Sequence, residues 1–160
     1  MNRIGSKKKG AGMKVSAKGR YGLAAMTHLA MNYQADVPIT IISISERLGI
    51  SKIYLEQVFS LLKRAKLVRS LKGSQGGYQL MAQPKEVSVY SILAAIELPL
   101  IEAAAPPTAG KAPSLDRAIT AAVYEPLDTC IKETMSGITL ADLLREAEKE
   151  SLNDTMMFYI

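Results

Sequence analysis

Residues 40–80 read TIISISERLGISKIYLEQVFSLLKRAKLVRSLKGSQGGYQL, and they contain the most specific structural pattern of the sequence. Thr40 is a suitable N-cap for a short helix, and Gly49 provides the turn after it. Ser51 is the predicted N-cap of a longer helix over about residues 52–65. The residues predicted to form the inner face of this longer helix are Tyr54, Leu55, Val58, Leu61 and Leu62. A short helix, a glycine turn and a capped second helix are typical of a helix-turn-helix.

Two β-prone runs follow, at residues 67–71 and 78–81. Between them, residues 72–77 read KGSQGG, and two strands joined by a glycine-rich loop predict a hairpin. A phosphate-cradling enzyme loop is disfavoured, because no Lys-Ser/Thr pair follows Gly77. A hairpin directly after a helix-turn-helix is the wing of a winged helix. The predicted fold class is therefore mainly α with a small β-hairpin: a winged helix-turn-helix domain plus a long dimerisation helix.

The flanking sequence supplies further helices. Apolar spacing predicts a helix over residues 18–33, and Ser88 is the predicted N-cap of a helix over residues 89–97. A longer helix over residues 114–135 contains Pro126, which should kink or split it. A final helix should run from a capping box at Thr139 to about Lys149. The resulting segments are a flexible basic leader (1–12), the winged-helix domain (13–97), a linker loop (98–113), dimerisation helices (114–150) and a C-terminal tail (151–160).

The charge of the 160 residues is unevenly distributed. Residues 1–85 contain 15 Lys and Arg against three acids, whereas residues 86–160 contain five against 12. A basic first half that coincides with a helix-turn-helix favours a nucleic-acid partner over a merely solvated basic face.

Cys130 and His28 are the only cysteine and the only histidine. The sequence therefore lacks the ligands of a metal cluster and the residues of the common nucleophilic catalytic sets. We therefore expect no enzyme activity and no cofactor. The absence of a disulfide framework favours the cytoplasm. The absence of a long apolar span excludes a transmembrane helix. His28 is expected to pack in the core, and Cys130 to be inert buried filling rather than a redox switch.

A long apolar helix outside a small winged domain needs a partner surface, and a homodimer provides one. The residues predicted to form the dimer interface are Leu115, Ile119, Val123, Leu127 and Ile131.

The predicted DNA contacts lie in three segments. Gln57 can pair with adenine and Glu56 can accept from cytosine in the major groove, with Lys52 and Ile53 at the tip of the same helix. Ser51 and Tyr54 are candidates for phosphate contacts, although Tyr54 as a core residue remains an open alternative. The other predicted contacts, to phosphates or the minor groove, are Lys14, Ser16, Lys18, Arg20, Lys72, Ser74 and Gln75.

Three motifs occur in one order and spacing: Lys18-Gly19-Arg20-Tyr21, Ile50-Ser51-x-x-Tyr54-Leu55-Glu56-Gln57-x-Phe59-x-x-Leu62 and Gly76-Gly77-Tyr78-x-Leu80. Through them, residues 13–144 resemble the bacterial winged-helix repressors that include the iron–sulfur regulator IscR and the nitric-oxide sensor NsrR. Cluster-bearing members have three cysteines in the segment that matches 98–113, where this chain has Ala and Pro. The resemblance therefore implies a cluster-free member.

Among cluster-free members the chain looks most like the cysteine metabolism repressor CymR. The supporting features are the loop length between Pro38 and Ser51, Glu97-x-Pro99, and the ending Met157-Phe158-Tyr159-Ile160. This resemblance implies repression of sulfur-uptake and cysteine-biosynthesis genes, and a partner enzyme, the pyridoxal-phosphate-dependent O-acetylserine sulfhydrylase (cysteine synthase).

That enzyme captures the C-terminal Ile carboxylate of serine acetyltransferase, and capture of such a carboxylate is a known recognition mode. We therefore expect Met157, Phe158, Tyr159 and Ile160 to dock into the enzyme. In the alternative, the tail folds back onto its own dimer or adds an edge strand.

Two other functions stay open at this point. One is a DNA-binding regulator that responds to a small ligand or to cysteine redox state. The other is a protein-interaction adaptor that uses a winged helix without DNA.

Overall fold

The computed structural model describes residues 15–97, 106 and 108–157, except for the side chain of Met156. Its helices and strands are α1 (Ala17–Met31), α2 (Ile41–Leu48), α3 (Lys52–Arg64), β1 (Val68–Leu71), β2 (Gly77–Leu80), α4 (Val89–Ile96), α5 (Pro113–Ile119), a π-helical turn (Thr120–Tyr124), α6 (Glu125–Ser136) and α7 (Leu140–Met157). Short 3-10 turns occupy Tyr33–Ala35 and Pro84–Glu86. The expected class, mainly helical with one hairpin, is confirmed.

The core lies where α1, α2 and α3 pack together. Phe59, Leu55 and Leu62 of α3 are completely buried, and they meet Met26 of α1 and Ile44 of α2. Each such side chain contributes about 1.5–3 kcal/mol by leaving water. The expected inner face of α3 is correct for Leu55, Val58 and Leu62, whereas Leu61 is half-buried. Phe59, which was not expected there, is the largest side chain of the inner face.

The predicted N-caps have different outcomes. The hydroxyl of Thr40 accepts a hydrogen bond from the Ser43 N–H at 3.1 Å, and Gly49 ends α2 with a left-handed φ of 65°. The hydroxyl of Ser88 caps α4 in the same way. Ser51 does precede α3, but its hydroxyl makes no capping hydrogen bond, so this part of the prediction is wrong. Its backbone angles, φ −55° and ψ 133°, differ from the −75° and 151° of Thr40.

The wing, residues 68–80, is an antiparallel hairpin with Val68 opposite Leu80 and Leu71 opposite Gly77. A third segment joins it. Ile39 pairs with Tyr78 through two backbone hydrogen bonds, of 3.0 and 2.8 Å. The ring of Tyr78 also lies 4.5 Å from that of Phe59. The wing is therefore fastened both to the segment before α2 and to the core face of α3.

The helix predicted over residues 114–135 is interrupted just before Pro126. The backbone N–H of Glu125 donates to the carbonyl of Thr120, five residues earlier, which makes one wide π-helical turn between α5 and α6. Proline has no N–H and crowds the preceding turn, so a widened turn directly before it relieves that crowding. The interruption expected from Pro126 is thus present as a π turn.

The last helix begins where the capping box predicts. The N–H of Thr139 donates to Asp142 at 2.8 Å, and the N–H of Asp142 donates to the Thr139 hydroxyl at 3.2 Å. Hydrogen bonds from the hydroxyl and the backbone N–H of Thr139 hold the pKa of Asp142 below its ordinary value. The predicted end at Lys149 is wrong, because α7 continues to Met157. Most of the expected tail is therefore helix, and residues 158–160 lie outside the described part.

Several residues expected inside lie at the surface. Ala24 and Met31, part of the apolar pattern of α1, are exposed. His28 is half-buried rather than enclosed in the core. Cys130 is exposed on α6, so its interpretation as buried filling is wrong for the single chain.

We expect Gly77→Ala to destabilise the protein by about 3 kcal/mol, because the new Cβ would overpack the backbone it approaches. That Cβ would lie 2.7 Å from the carbonyl carbon and oxygen of Ile39. Gly49→Ala is the matched control. Both glycines have a positive φ, 156° at Gly77 and 65° at Gly49, but the new Cβ at Gly49 meets open space, so Gly49→Ala should cost about 1 kcal/mol.

Urea unfolding measures both costs, and amide hydrogen exchange at Ile39 and Tyr78 localises the effect. Equal costs for the two variants, with unchanged exchange at Ile39, would contradict the role assigned to this pairing.

Candidate nucleic-acid interface

The outer face of α3 is polar and open. Lys52, Glu56 and Gln57 are exposed, and the side chain of Ile53 is 68% exposed at the tip of the helix. Lys52 and Glu56 are one turn apart and form a loose ion pair of 3.7 Å. An exposed pair of this kind contributes little stability, so both side chains are free to exchange partners.

Tyr54 connects this face to α1. Its side chain is 48% exposed, and its ring lies 5.8 Å from that of Tyr21 at an angle of 60°. Tyr54 is therefore not a core residue, and its expected place on the inner face of α3 is wrong. The ring contact joins the second turn of α1 to the first turn of α3.

The start of α1 adds positive charge to the same surface. Lys18 lines a shallow groove together with Ile53, Glu56 and Gln57 of α3, and Arg20 is exposed nearby in sequence. Ser16 caps α1, because its hydroxyl accepts from the Gly19 N–H at 3.1 Å. Its own N–H donates to Glu97 at 2.8 Å, which fixes the chain entering the helix. Lys14 lies outside the described residues.

The wing tip brings a third group of polar side chains. Lys72, Ser74 and Gln75 are all exposed between β1 and β2. Gly73, with a left-handed φ of 102°, turns the backbone at this tip. All three predicted contact residues of this loop are therefore accessible to a partner.

Arg69 on β1 is a candidate contact that the sequence analysis missed. Its guanidinium donates to the side-chain oxygen of Gln79 at 3.0 and 3.2 Å, and Gln79 in turn donates to the carbonyl of Asp36 at 2.9 Å. This network orients the exposed Arg69 along the wing. The available signal in the sequence was a cation within the β-prone run 67–71.

The positive charges of this surface are largely unneutralised. Within residues 15–97, the Lys52–Glu56 pair is the one ion pair found, and Lys18, Arg20, Arg69 and Lys72 have no carboxylate within 4 Å among the described residues. A polyanion would supply the missing counter-charges.

The predicted dimer residues form a separate surface on α5 and α6. Leu115, Val123 and Leu127 are about half exposed, and Ile119 and Ile131 are half-buried. Tyr124, exposed at the π turn, extends this surface and was not predicted.

Comparison with known proteins gives a match over nearly the whole chain. The profile of the Rrf2 family, described as "Iron-dependent Transcriptional regulator", matches residues 15–146. The transcriptional regulator IscR of Vibrio campbellii is 34% identical over 142 residues, which are 89% of this chain and 83% of that protein.

Solved structures agree with this match. The T. potens IscR structure has a TM-score of 0.68 and 37% identity, covering 87% of this chain and 91% of that one. The structure of CymR, "the Global Cysteine Regulator of B. subtilis", has a TM-score of 0.62 and 31% identity, covering 84% and 98%. The expectation that the chain resembles CymR more than IscR is therefore wrong, since the identities to IscR are higher.

The donor set does not fit an iron–sulfur cluster. Such clusters are held by several cysteine thiolates, and this chain has one cysteine, on α6. Within the described ranges, no three His, Cys, Asp or Glu side chains are grouped as metal ligands would be. The helices of those ranges are also too short or too polar to cross a membrane.

The homologues are named transcriptional regulators rather than enzymes, which agrees with the expectation that the chain has no catalytic function. The three motifs, the helix-turn-helix with its wing and the match over residues 15–146 agree with one another. The chain belongs to the Rrf2 family of DNA-binding transcriptional regulators.

Proposed function

We propose that the protein is a homodimeric transcriptional repressor that binds its operator without an iron–sulfur cluster. The single observation that carries this proposal is the set of exposed polar and cationic side chains at the start of α1, on the outer face of α3 and at the wing tip. In a winged helix, this is the surface that faces the duplex, with α3 in the major groove. A cytoplasmic location follows from the DNA target.

The residues divide into two groups by what they offer to DNA. Gln57 and Glu56 present amide and carboxylate groups to base edges, and both are exposed on the middle of α3. Lys18, Arg20 and the wing residue Lys72 present positive charges at the border of the surface, where phosphates pass. Ser51 and Tyr54 lie between these groups, at the start of α3.

Gln57→Ala should weaken binding to a selected operator by about 5- to 150-fold and relax the preference at one base position. Lys18→Ala should weaken specific and non-specific binding alike and reduce the salt slope by about one. Fluorescence anisotropy over a salt series, with an operator selected from random duplexes, distinguishes the two effects.

Lys149→Ala is the control, since Lys149 lies on α7 and pairs with Glu146. If Gln57→Ala weakened operator and random DNA equally, the proposed base contact would be wrong.

The dimer is supported by the apolar surface of α5 and α6. Val123, Tyr124 and Leu127 are large, exposed side chains within five residues of one another. Large apolar patches on soluble chains usually mark an interface. In a two-fold dimer, the two copies of α3 would reach half-sites about one helical turn apart or slightly more.

Leu127→Glu should convert the dimer to a monomer at micromolar concentration, because it would place a charge in an apolar interface. Met81→Glu is the matched control: both side chains are just over half exposed, and Met81 follows the wing. Sedimentation equilibrium measures the mass of each variant. A wild-type protein that sediments as a monomer, or a dimer that persists in Leu127→Glu, would refute the proposed interface.

The regulated genes are proposed to be those of cysteine and sulfur metabolism. A solved relative of 31% identity is titled a global cysteine regulator, and the single cysteine of this chain does not support cluster sensing. The signal is proposed to arrive through O-acetylserine sulfhydrylase, with Met157–Ile160 as the docking segment. Of these residues, Met157 is within the described part, and its side chain is exposed at the end of α7.

Deletion of Ile160 should abolish binding of purified O-acetylserine sulfhydrylase, because the proposed docking segment would lose one of its four residues. Calorimetry measures binding, and Leu152→Ala, another exposed change on α7, should bind normally. Retention of the complex without Ile160 would exclude the docking segment. Absence of any complex with the intact protein would exclude the partner.

A further inference from the structure

A polar cleft separates α1 from α2, beside the attachment of the wing. His28 of α1 lines one side, and Thr40, the N-cap of α2, lines the other side with Ser43 and Arg47 of that helix. The remaining lining residues are Asn32, Pro38 and Ile39. Thr40, Ser43 and Arg47 are three and four positions apart, so they share one face of that helix. Besides the Asn32 amide, which donates to the His28 carbonyl, its polar side chains are one cation, one imidazole and two hydroxyl groups.

Arg47 provides a positive charge that the protein does not neutralise. Among residues 15–97, 106 and 108–157, no carboxylate lies within 4 Å of its guanidinium. Arginine presents up to five N–H donors in a planar fork, a geometry that suits the oxygens of phosphate or sulfate.

His28 contributes a second donor. Its imidazole makes no hydrogen bond to the described part of the chain, although its backbone carbonyl accepts from Asn32 at 2.9 Å. Partial burial, and then the nearby charge of Arg47, lower the pKa of His28. A bound anion would have the opposite influence on this group, since a negative charge favours the protonated imidazole.

The hydroxyl groups of Thr40 and Ser43 can also donate hydrogen bonds into the cleft. The oxygen of Thr40 already accepts from the Ser43 N–H at 3.1 Å, so its O–H proton remains available for donation. Ser43 offers another hydroxyl one turn along α2. All four side chains can therefore donate hydrogen bonds into the same space.

We propose that this cleft is a binding site for a phosphate-type oxyanion, held by Arg47, His28, Thr40 and Ser43. The anion is either a phosphate of the DNA backbone or a free anion from solution. The proposed function does not depend on this cleft, and binding of the anion is measured first without DNA.

Sulfate is the probe, since it remains a dianion across the titration of histidine. His28 is the only histidine, so its imidazole proton signals in ¹H NMR are unambiguous. The titration is recorded in sodium sulfate and in sodium chloride of equal ionic strength. We expect the pKa of His28 to be higher in sulfate than in chloride, with a shift that saturates as sulfate increases.

Arg47→Ala removes the principal ligand. It should raise the pKa of His28 in chloride, because a repelling charge is lost, and weaken sulfate binding by about tenfold or more. Arg117→Ala, an exposed arginine of α5, is the control and should respond as wild type does. Circular dichroism checks that each variant is folded. Superimposable titrations in sulfate and chloride, or unchanged sulfate binding in Arg47→Ala, would overturn the proposal.

DNA binding then distinguishes the two sources of the anion. If the site receives a backbone phosphate, Arg47→Ala weakens binding to all duplexes and lowers the salt slope by about one. If it receives a free anion, Arg47→Ala retains the wild-type salt slope while its sulfate response is lost. A chain that binds no DNA but shows the sulfate effect would refute the regulator function and leave this site intact.

Discussion

The pairing of Ile39 with Tyr78 is the constraint on which the proposed DNA surface depends. Two backbone hydrogen bonds join the entry of α2 to the wing, and the ring of Tyr78 packs on Phe59 at the centre of α3. One residue pair therefore sets the position of the wing relative to both helices of the helix-turn-helix. Gly77 permits this arrangement, because a side chain there would collide with the Ile39 backbone. Loss of this contact would release the wing from the segment that enters α2.

The charges are arranged differently in the winged-helix part and in the helices that follow it. Among the described residues, Lys18, Arg20, Arg69 and Lys72 are in no ion pair, whereas the ion pairs beyond residue 97 are on α6 and α7, between neighbours three or four residues apart. Paired charges on one helix keep a surface soluble without attracting a polyanion. The excess cations of the basic half are therefore available to an external partner.

Local chemistry explains which features could be predicted. Thr40, Gly49, Ser88 and the capping box at Thr139 act through neighbours within three residues, and the hairpin follows from its glycines, so the sequence alone was sufficient. The pairing of Ile39 was missed because it joins residues 39 positions apart, with no periodic pattern to indicate it. Tyr54 was misplaced because its partner, Tyr21, lies on another helix. The end of α7 was missed because residues 150–157 contain neither Gly nor Pro to stop the helix.

The π turn has a geometric consequence for the apolar stripe on α5 and α6. Its residues, from Leu115 to Ile131, recur every four positions, and in a regular helix of 3.6 residues per turn such a row winds around the axis by roughly 40° per step. Over four steps the ends of the row would point in nearly opposite directions. The wide turn at Thr120–Tyr124 absorbs about one extra residue, which removes roughly 100° of that winding. An irregularity of the backbone thus straightens a stripe that would otherwise spiral, and it lets one flat partner meet both ends.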